Sequence, residues 1–357
     1  MCVIVESAMN RVLIISLNFN PGHVSHMVAS YRQCEELGYE PFYYVNPAFG
    51  PFLPNGSRIL MYGNDVCPQV ELAIFLFPSH KNIALIHKLK RRGSKVVYIF
   101  HEPLAPMSEY RKAGFSYAYL MKLWVIDHIS ALTVKKSDVI LLPSKKALGF
   151  YESNALYKNA NYHYLPLMYD DERTEQLAVL PRHFFSYIGT IAADHSFVEY
   201  LDFISWAVKE NRLSNIRFLI ATKSEFEVPE ELQKSERVVI QKGRPLSDQE
   251  INGYYASSFV VWNAYTRTTQ SGVLAKSFMF GTPAIVLRKN LSEFTEDGRE
   301  VVAIDDNTLF SEIENAVLSV FQNFDALSSN ARNRFLKSFY YRNYNEAFNA
   351  IIESSQS

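Results

Sequence analysis

The segment Asn263 to Gly272 (NAYTRTTQSG) is a polar loop that follows an apolar run and ends where a helical pattern begins near Ser271. It delivers Thr268, Thr269, Gln270, Ser271 and Gly272 to a helix amino terminus. Backbone N–H groups and the helix dipole there attract an anion such as a diphosphate. Gly272 has no side chain, so phosphate oxygens can come close to the backbone. A plain N-capped helix is the competing reading of the same residues. Arg267 lies in this loop, and Lys223, Lys242 and Arg244 each follow an apolar run. Cations in such places offset the charge that builds on a leaving diphosphate. Each of them alone reads equally as a solvated side chain.

His101 and Glu102 stand where the run VVYIF, from Val96, gives out. Open α/β sheets bind ligands beyond the carboxyl ends of their strands, so both are candidate catalytic residues. Glu102 is placed to act as general base on an acceptor hydroxyl, or simply shapes the turn before Pro103. Gly22, with His23 and Ser25, follows the first apolar run and offers a close backbone approach or an ordinary strand–helix turn; GxGxxG is absent there. Asp170-Asp171 and Asp305-Asp306 are isolated pairs outside the candidate phosphate loop, so no metal site is expected. Cys2, Cys34 and Cys67 are scattered without a CxxC, which argues against a disulfide frame or thiolate zinc site and fits a reducing cytosol.

The elements that carry these groups alternate. Apolar runs begin at Arg11, Phe42, Leu72, Val96 and Val139, with helical spacing from Val24 to Leu37 and from Lys81 to Arg92 between them. After YHYLPLMYDDERTE, which reads as a linker, runs restart at Phe184, Ile216, Val238, Phe259, Ala284 and Val301. Ser196/Glu199, Ser247/Glu250 and Ser311/Glu314 are spaced as capping boxes. Strand–helix–strand order predicts parallel sheets, hence an α/β chain of two tandem Rossmann-like domains with a cleft between them. The 357-residue length, 48% hydrophobic and 20% charged composition and net charge of -1 suit two ordinary cores and give no reason to bind nucleic acid. The opening MCVIVESAMN lacks the basic flank and length of a secretory signal, and no run spans a membrane.

The stretch VVIQKGRPLSDQE through GTPAIVL to VVAIDD resembles the carboxyl-terminal domain of GT-B glycosyltransferases, in particular the large retaining family four. GTPAIV matches the run after that class's donor-binding helix. KGR around Gly243 and YIGT around Gly189 and Thr190 match its glycine loops; NPGH and His101 extend the likeness more faintly. The resemblance implies an acceptor domain over 1–168, a nucleotide-sugar domain over 169–335, and a final helix over 336–357 that returns to the first. With the loop and cation readings above, the expected donor-binding residues are Gly22, Gly189, Thr190, Lys223, Lys242, Gly243, Arg244, Arg267, Thr269, Gln270, Ser271 and Gly272, of which the resemblance itself supplies the glycine loops around Gly189, Thr190 and Gly243 and, more faintly, Gly22. The donor would be a uridine, guanosine or thymidine diphosphate sugar, with no other cofactor. The family's two glutamates, eight positions apart, correspond here to Thr268 and Lys276; its Arg corresponds to Thr190, and its downstream Lys falls near His195.

The expected function is transfer of a sugar to a glycan or lipid-linked glycan in bacterial surface polysaccharide synthesis, in the cytoplasm or at the inner face of the membrane. A non-catalytic sugar- or nucleotide-binding homologue and a sugar-nucleotide epimerase are the alternatives. Arg111, Lys112, Lys122, Lys135 and Lys136 mixed with Tyr117, Tyr119, Met121 and Trp124, near the KLKRR run Lys88–Arg92, suggest either peripheral attachment to an anionic bilayer or an amphipathic core helix.

Overall fold

A computed structural model describes residues 10–112 and 114–354. Cys2 and most of the opening segment lie outside the described residues. Contacts divide the chain into two compact units. The first comprises Met1–Ala105, Tyr117–Asp170 and Tyr340–Ser357; the second comprises Pro106–Ser116 and Asp171–Phe339. Sequence reading assigned 106–116 to the first unit, but these residues make their contacts in the second.

The first unit holds seven strands: β1 (Arg11–Ser16), β2 (Glu40–Val45), β3 (Ile59–Met61), β4 (Leu72–Phe75), β5 (Lys95–Ile99), β6 (Val139–Leu142) and β7 (Tyr162–Tyr164). They form one parallel sheet in the order β3-β2-β1-β4-β5-β6-β7. The inner strands read as unbroken apolar runs because both faces are covered, and Leu13, Ile15, Phe75, Val96, Tyr98 and Ile140 pack in one core. The helix Val24–Glu36 buries Met27, Tyr31 and Cys34, and Gly38 at φ +82° carries the chain out of it. The short edge strands β3 and β7 have no fully buried residue. That is why Tyr162–Tyr164 read as linker. The final helix, Asn345–Ser354, belongs to this unit. Glu36 accepts from Tyr341 Oη at 2.6 Å and Arg342 Nε at 2.9 Å, and Gln33 Nε2 donates to Asn345 at 3.2 Å.

The second unit holds β8 (Phe184–Ile188), β9 (Arg217–Ala221), β10 (Val238–Gln241), β11 (Ser258–Asn263), β12 (Ala284–Leu287) and β13 (Val301–Ile304), parallel, in the order β10-β9-β8-β11-β12-β13. Counted from β8 this is the 3-2-1-4-5-6 order of a Rossmann sheet. Phe185, Tyr200, Phe203, Phe218 and Trp262 fill its core. The polar ends of the two amphipathic rings are satisfied: Trp262 Nε1 donates to Ser196 O at 2.9 Å and Tyr200 Oη to Phe185 O at 2.8 Å.

Of the three expected capping boxes, Ser247/Glu250 forms: Glu250 N donates to Ser247 Oγ at 3.2 Å and Ser247 N to Glu250 Oε2 at 2.9 Å. Ser196 instead has φ 48° and makes no side-chain cap bond, while its carbonyl takes the Trp262 proton. The third helix starts at Phe310, so Glu312 accepts from Leu309 N, and Glu314 is held by Arg212 at 2.8 Å. No helix among the described residues is long and apolar enough to cross a membrane.

Candidate functional site

In each sheet the strand order reverses once, between β1 and β4 and between β8 and β11. Connections leave in opposite directions there, so a crevice opens at the carboxyl edge. The loops after those four strands are therefore the places to examine.

In the second unit the loop after β8 opens with Gly189-Thr190 and runs to Ser196, and the loop after β11 runs to Ser271. Gly189, at φ +147°, sits where a Cβ would lie 3.6 Å from Val273 Cγ2 and 3.7 Å from Tyr265 Oη. Val273 belongs to the first turn of the helix Gly272–Met279. The two loops thus meet at the switch point. The Thr190 side is closed by its carbonyl, which accepts from Tyr187 Oη at 2.8 Å and from His195 Nδ1 at 2.6 Å. The His195 ring stacks on Tyr265 with centroids 4.1 Å apart. Sequence reading noted His195 only as a departure from the family's lysine; the stacking on a ring 70 positions away has no local signature.

Ser271 caps its helix. Its Oγ accepts from Leu274 N at 3.2 Å and from Asn263 Nδ2 at 2.9 Å, and the residue is buried. The side chain is spent on the cap. Gly272 is exposed and Val273 half-exposed, and as first-turn residues their N–H groups have no acceptor within the helix. Gln270, Thr269 and Arg267 are buried behind them. Arg267 Nη2 donates to Tyr110 Oη at 2.9 Å, and its guanidinium carbon lies 4.3 Å from the centre of the Tyr110 ring. Arg267 Nε and Thr269 Oγ1 have no hydrogen-bond partner among the described residues. A buried polar group left unmade costs about 1–3 kcal/mol, so two in one loop beside open amides mark a place where a ligand oxygen would be repaid.

The other predicted cations stand farther along the same edge. Lys223 follows β9, next to β8, and is exposed. Lys242 and Arg244 follow β10, one strand farther out. Lys242 Nζ donates to Phe226 O at 2.6 Å, with Glu225 3.4 Å away. Arg244 grips Glu250 through two nitrogens and pulls its carboxyl down to about 2. Gly243, at φ +76°, leaves room for the Glu225 side chain, which a Cβ would meet at 2.0 Å. Its glycine requirement is accounted for by a neighbouring side chain and by backbone conformation.

At the position where the family carries its second glutamate, Lys276 is buried and donates to Glu172 Oε2 at 2.5 Å. Asn252 Nδ2 donates to the same oxygen at 2.9 Å. Burial raises the Asp248 carboxyl nearby, while Lys276 draws it down. The charges have been redistributed: a cation on the helix is answered by a carboxylate from the start of the unit.

In the first unit, Asn20 caps the turn after β1: Gly22 N donates to its Oδ1 at 3.1 Å, and a Cβ on Gly22 would meet only that atom, at 3.5 Å. The geometry of Gly22 is that of a strand–helix turn. His23 stacks on Phe77, beyond β4, with centroids 3.2 Å apart. His101, beyond β5, lies 5.9 Å from Phe77 and 6.1 Å from the buried His26, ring centre to ring centre. Burial pushes the His101 imidazole down to about 4, so it is neutral at pH 7. Glu102 follows it and is exposed. The expected residues His101 and Gly22 thus fall at one carboxyl edge, joined by His26 and Phe77, which sequence reading did not single out. A cavity of about 500 Å³ lined by Arg182, Phe259 and Phe324 opens where β8 and β11 begin, at the opposite edge from these loops.

Two Rossmann-like units of this order make the chain an α/β protein with the fold of the GT-B glycosyltransferases. Among solved structures it is similar to Anabaena HepE in complex with UDP and glucose (TM-score 0.70, 12% identity, covering 97% of this chain and 100% of that one). It is similar to sucrose-phosphate synthase from Thermosynechococcus elongatus (TM-score 0.68, 11% identity, 97% and 98%). A third is WaaG, a glycosyltransferase involved in lipopolysaccharide biosynthesis (TM-score 0.64, 12% identity, 96% and 99%). No protein-family model and no curated protein sequence matches the chain.

Proposed function

We propose that the protein is a glycosyltransferase that moves a sugar from a nucleoside-diphosphate sugar to a hydroxyl of a glycan or lipid-linked glycan, in the assembly of a bacterial surface polysaccharide. The observation that carries the reading is the loop Arg267–Gly272: Arg267, Thr269, Gln270 and Ser271 are buried, Arg267 Nε and Thr269 Oγ1 are unsatisfied among the described residues, and the loop ends on exposed Gly272 in the first turn of the helix. A diphosphate supplies the oxygens these donors lack. In the transfer, the bond from the sugar carbon to the phosphate oxygen breaks and a bond to the acceptor oxygen forms. The nucleoside diphosphate leaves with the electron pair. Arg267 and the helix terminus meet its charge, so the proposed mechanism routes no step through a metal. Neutral His101 offers a hydrogen bond to a sugar hydroxyl without placing a cation there. The acceptor proton goes to Glu102 if the transfer inverts, or to the leaving diphosphate if it retains. Uridine is the first base to try, by likeness to HepE, whose complex holds UDP.

A thermal-shift screen of uridine, guanosine and thymidine diphosphates and their sugars tests this, since a ligand of the native state raises the melting temperature. One base is expected to stand out, and the Arg267→Met protein is expected to lose the response. A flat response to all of them overturns the reading. The cation at Lys276 favours a second reading, binding without transfer. Donor consumption in the presence of glycan acceptors separates the two.

A further inference from the structure

The helix Tyr117–Lys136 of the first unit is built inside out. Its inward face carries Leu120, Asp127, Ser130, Thr133 and Val134. Asp127 accepts hydrogen bonds from Tyr157 Oη and from Asn154 Nδ2. Its outward face carries Tyr117 (71% exposed), Met121 (62%), Trp124 (47%), Val125 (49%) and Leu132 (49%). Their spacing of four, seven, eight and fifteen from Tyr117 puts them on one stripe, about 22 Å long at the helical rise. Burial in this unit does not account for that stripe, because the buried side is the polar one.

The surroundings are basic. Lys122 and Lys135 are exposed on the same helix, and Asp127, its one acidic residue, is buried. The helix His80–Lys90 packs beside it and has no acidic residue. Lys88, Arg91 and Arg92, at its end, are exposed. An apolar, aromatic stripe rimmed by cations matches a surface that is apolar inside and anionic at its face. A second copy of the chain would set one basic rim against another.

We propose that this helix docks the protein on an anionic phospholipid bilayer, with Met121, Trp124, Val125 and Leu132 in the headgroup–acyl boundary and Lys88, Arg91, Arg92 and Lys122 against the phosphates. The inference deepens the acceptor half of the proposed function, since a lipid-linked acceptor resides at such a surface, but its test does not depend on transfer.

The test is sedimentation of the full chain with phosphatidylcholine vesicles and with vesicles containing phosphatidylglycerol, at low and high salt, with tryptophan emission recorded in parallel. Binding is expected with the anionic vesicles at low salt, accompanied by a blue shift of Trp124, the exposed tryptophan beside buried Trp262 and half-buried Trp206. Met121→Asp with Leu132→Asp is expected to lower the partition at least about tenfold while leaving the donor-induced thermal shift intact. Absence of pelleting at low salt, or undiminished pelleting of the double variant, overturns the proposal. So does a lipid-free dimer, seen by sedimentation velocity, that the double variant dissolves. A missing thermal shift with intact vesicle binding would instead count against the nucleotide-sugar reading alone.

Discussion

Replacing His101 by glutamine tests whether the first unit holds a neutral imidazole at its carboxyl edge. An unfolded histidine titrates near its ordinary value of 6.5, whereas burial holds the folded one to about 4. Above 6.5 neither state is protonated and the group adds no pH dependence. As pH falls below 6.5 the unfolded chain takes a proton that the folded chain refuses, so stability is lost progressively until about pH 4. At pH 5 the gap is worth about 2 kcal/mol, and below pH 4 about 3 kcal/mol. Urea melts at pH 7 and pH 5 are expected to show the native chain losing about 2 kcal/mol more than His101→Gln, whose amide does not titrate. The carboxylates contribute equally to both proteins and cancel. The imidazole carbon signal of His101, followed by NMR, is expected to stay flat from pH 8 to about 5. Equal losses in the two proteins, or a midpoint near the ordinary value, would refute the argument.

Thr269→Val removes a buried hydroxyl that has no partner, so it should leave the melting temperature unchanged or higher while weakening nucleotide-diphosphate binding by about tenfold, measured by calorimetry. Lys276→Met removes the cation that answers Glu172 in a partly buried site, leaving it the Asn252 amide, and should cost about 3 kcal/mol in denaturant unfolding; Lys276→Glu, which sets a third carboxylate beside Glu172 and Asp248, should cost more. If Lys276→Met were silent, the charge redistribution would have no structural weight. Gly243→Ala should cost about 1 kcal/mol for its left-handed backbone, with the flexible Glu225 side chain moving aside, whereas Gly22→Ala should be neutral in the same melts.

The sheet strands were legible because each inner strand is buried on both faces and reads as an apolar run. Strands β3 and β7 gave no such run: they are three-residue edges that bury nothing fully, whereas the edge β10, equally unburied, still carries the apolar run Val238–Ile240. The capping pattern was legible where it was local, at Ser247. It misled at Ser196, whose role is set by Trp262, 66 positions away. The loop Arg267–Gly272 could be found from its polarity and the helix that follows. Its partner Tyr110, 157 positions earlier, could not, nor could the pairing of Lys276 with Glu172 across 104 positions. Spacing identifies a candidate cation; only the fold reveals that Arg244 and Lys242 already have carboxylates.

The backbone changes units four times, after Ala105, Ser116, Asp170 and Phe339. Neither unit is therefore a continuous stretch of gene. A first half ending at Asp170 would lack the segment whose Tyr341, Arg342 and Asn345 engage Glu36 and Gln33, and a second half beginning at Asp171 would lack the ring that grips Arg267. Recombination that exchanges one unit while keeping the other must splice at several junctions together, which makes the halves of this molecule heritable only as a set.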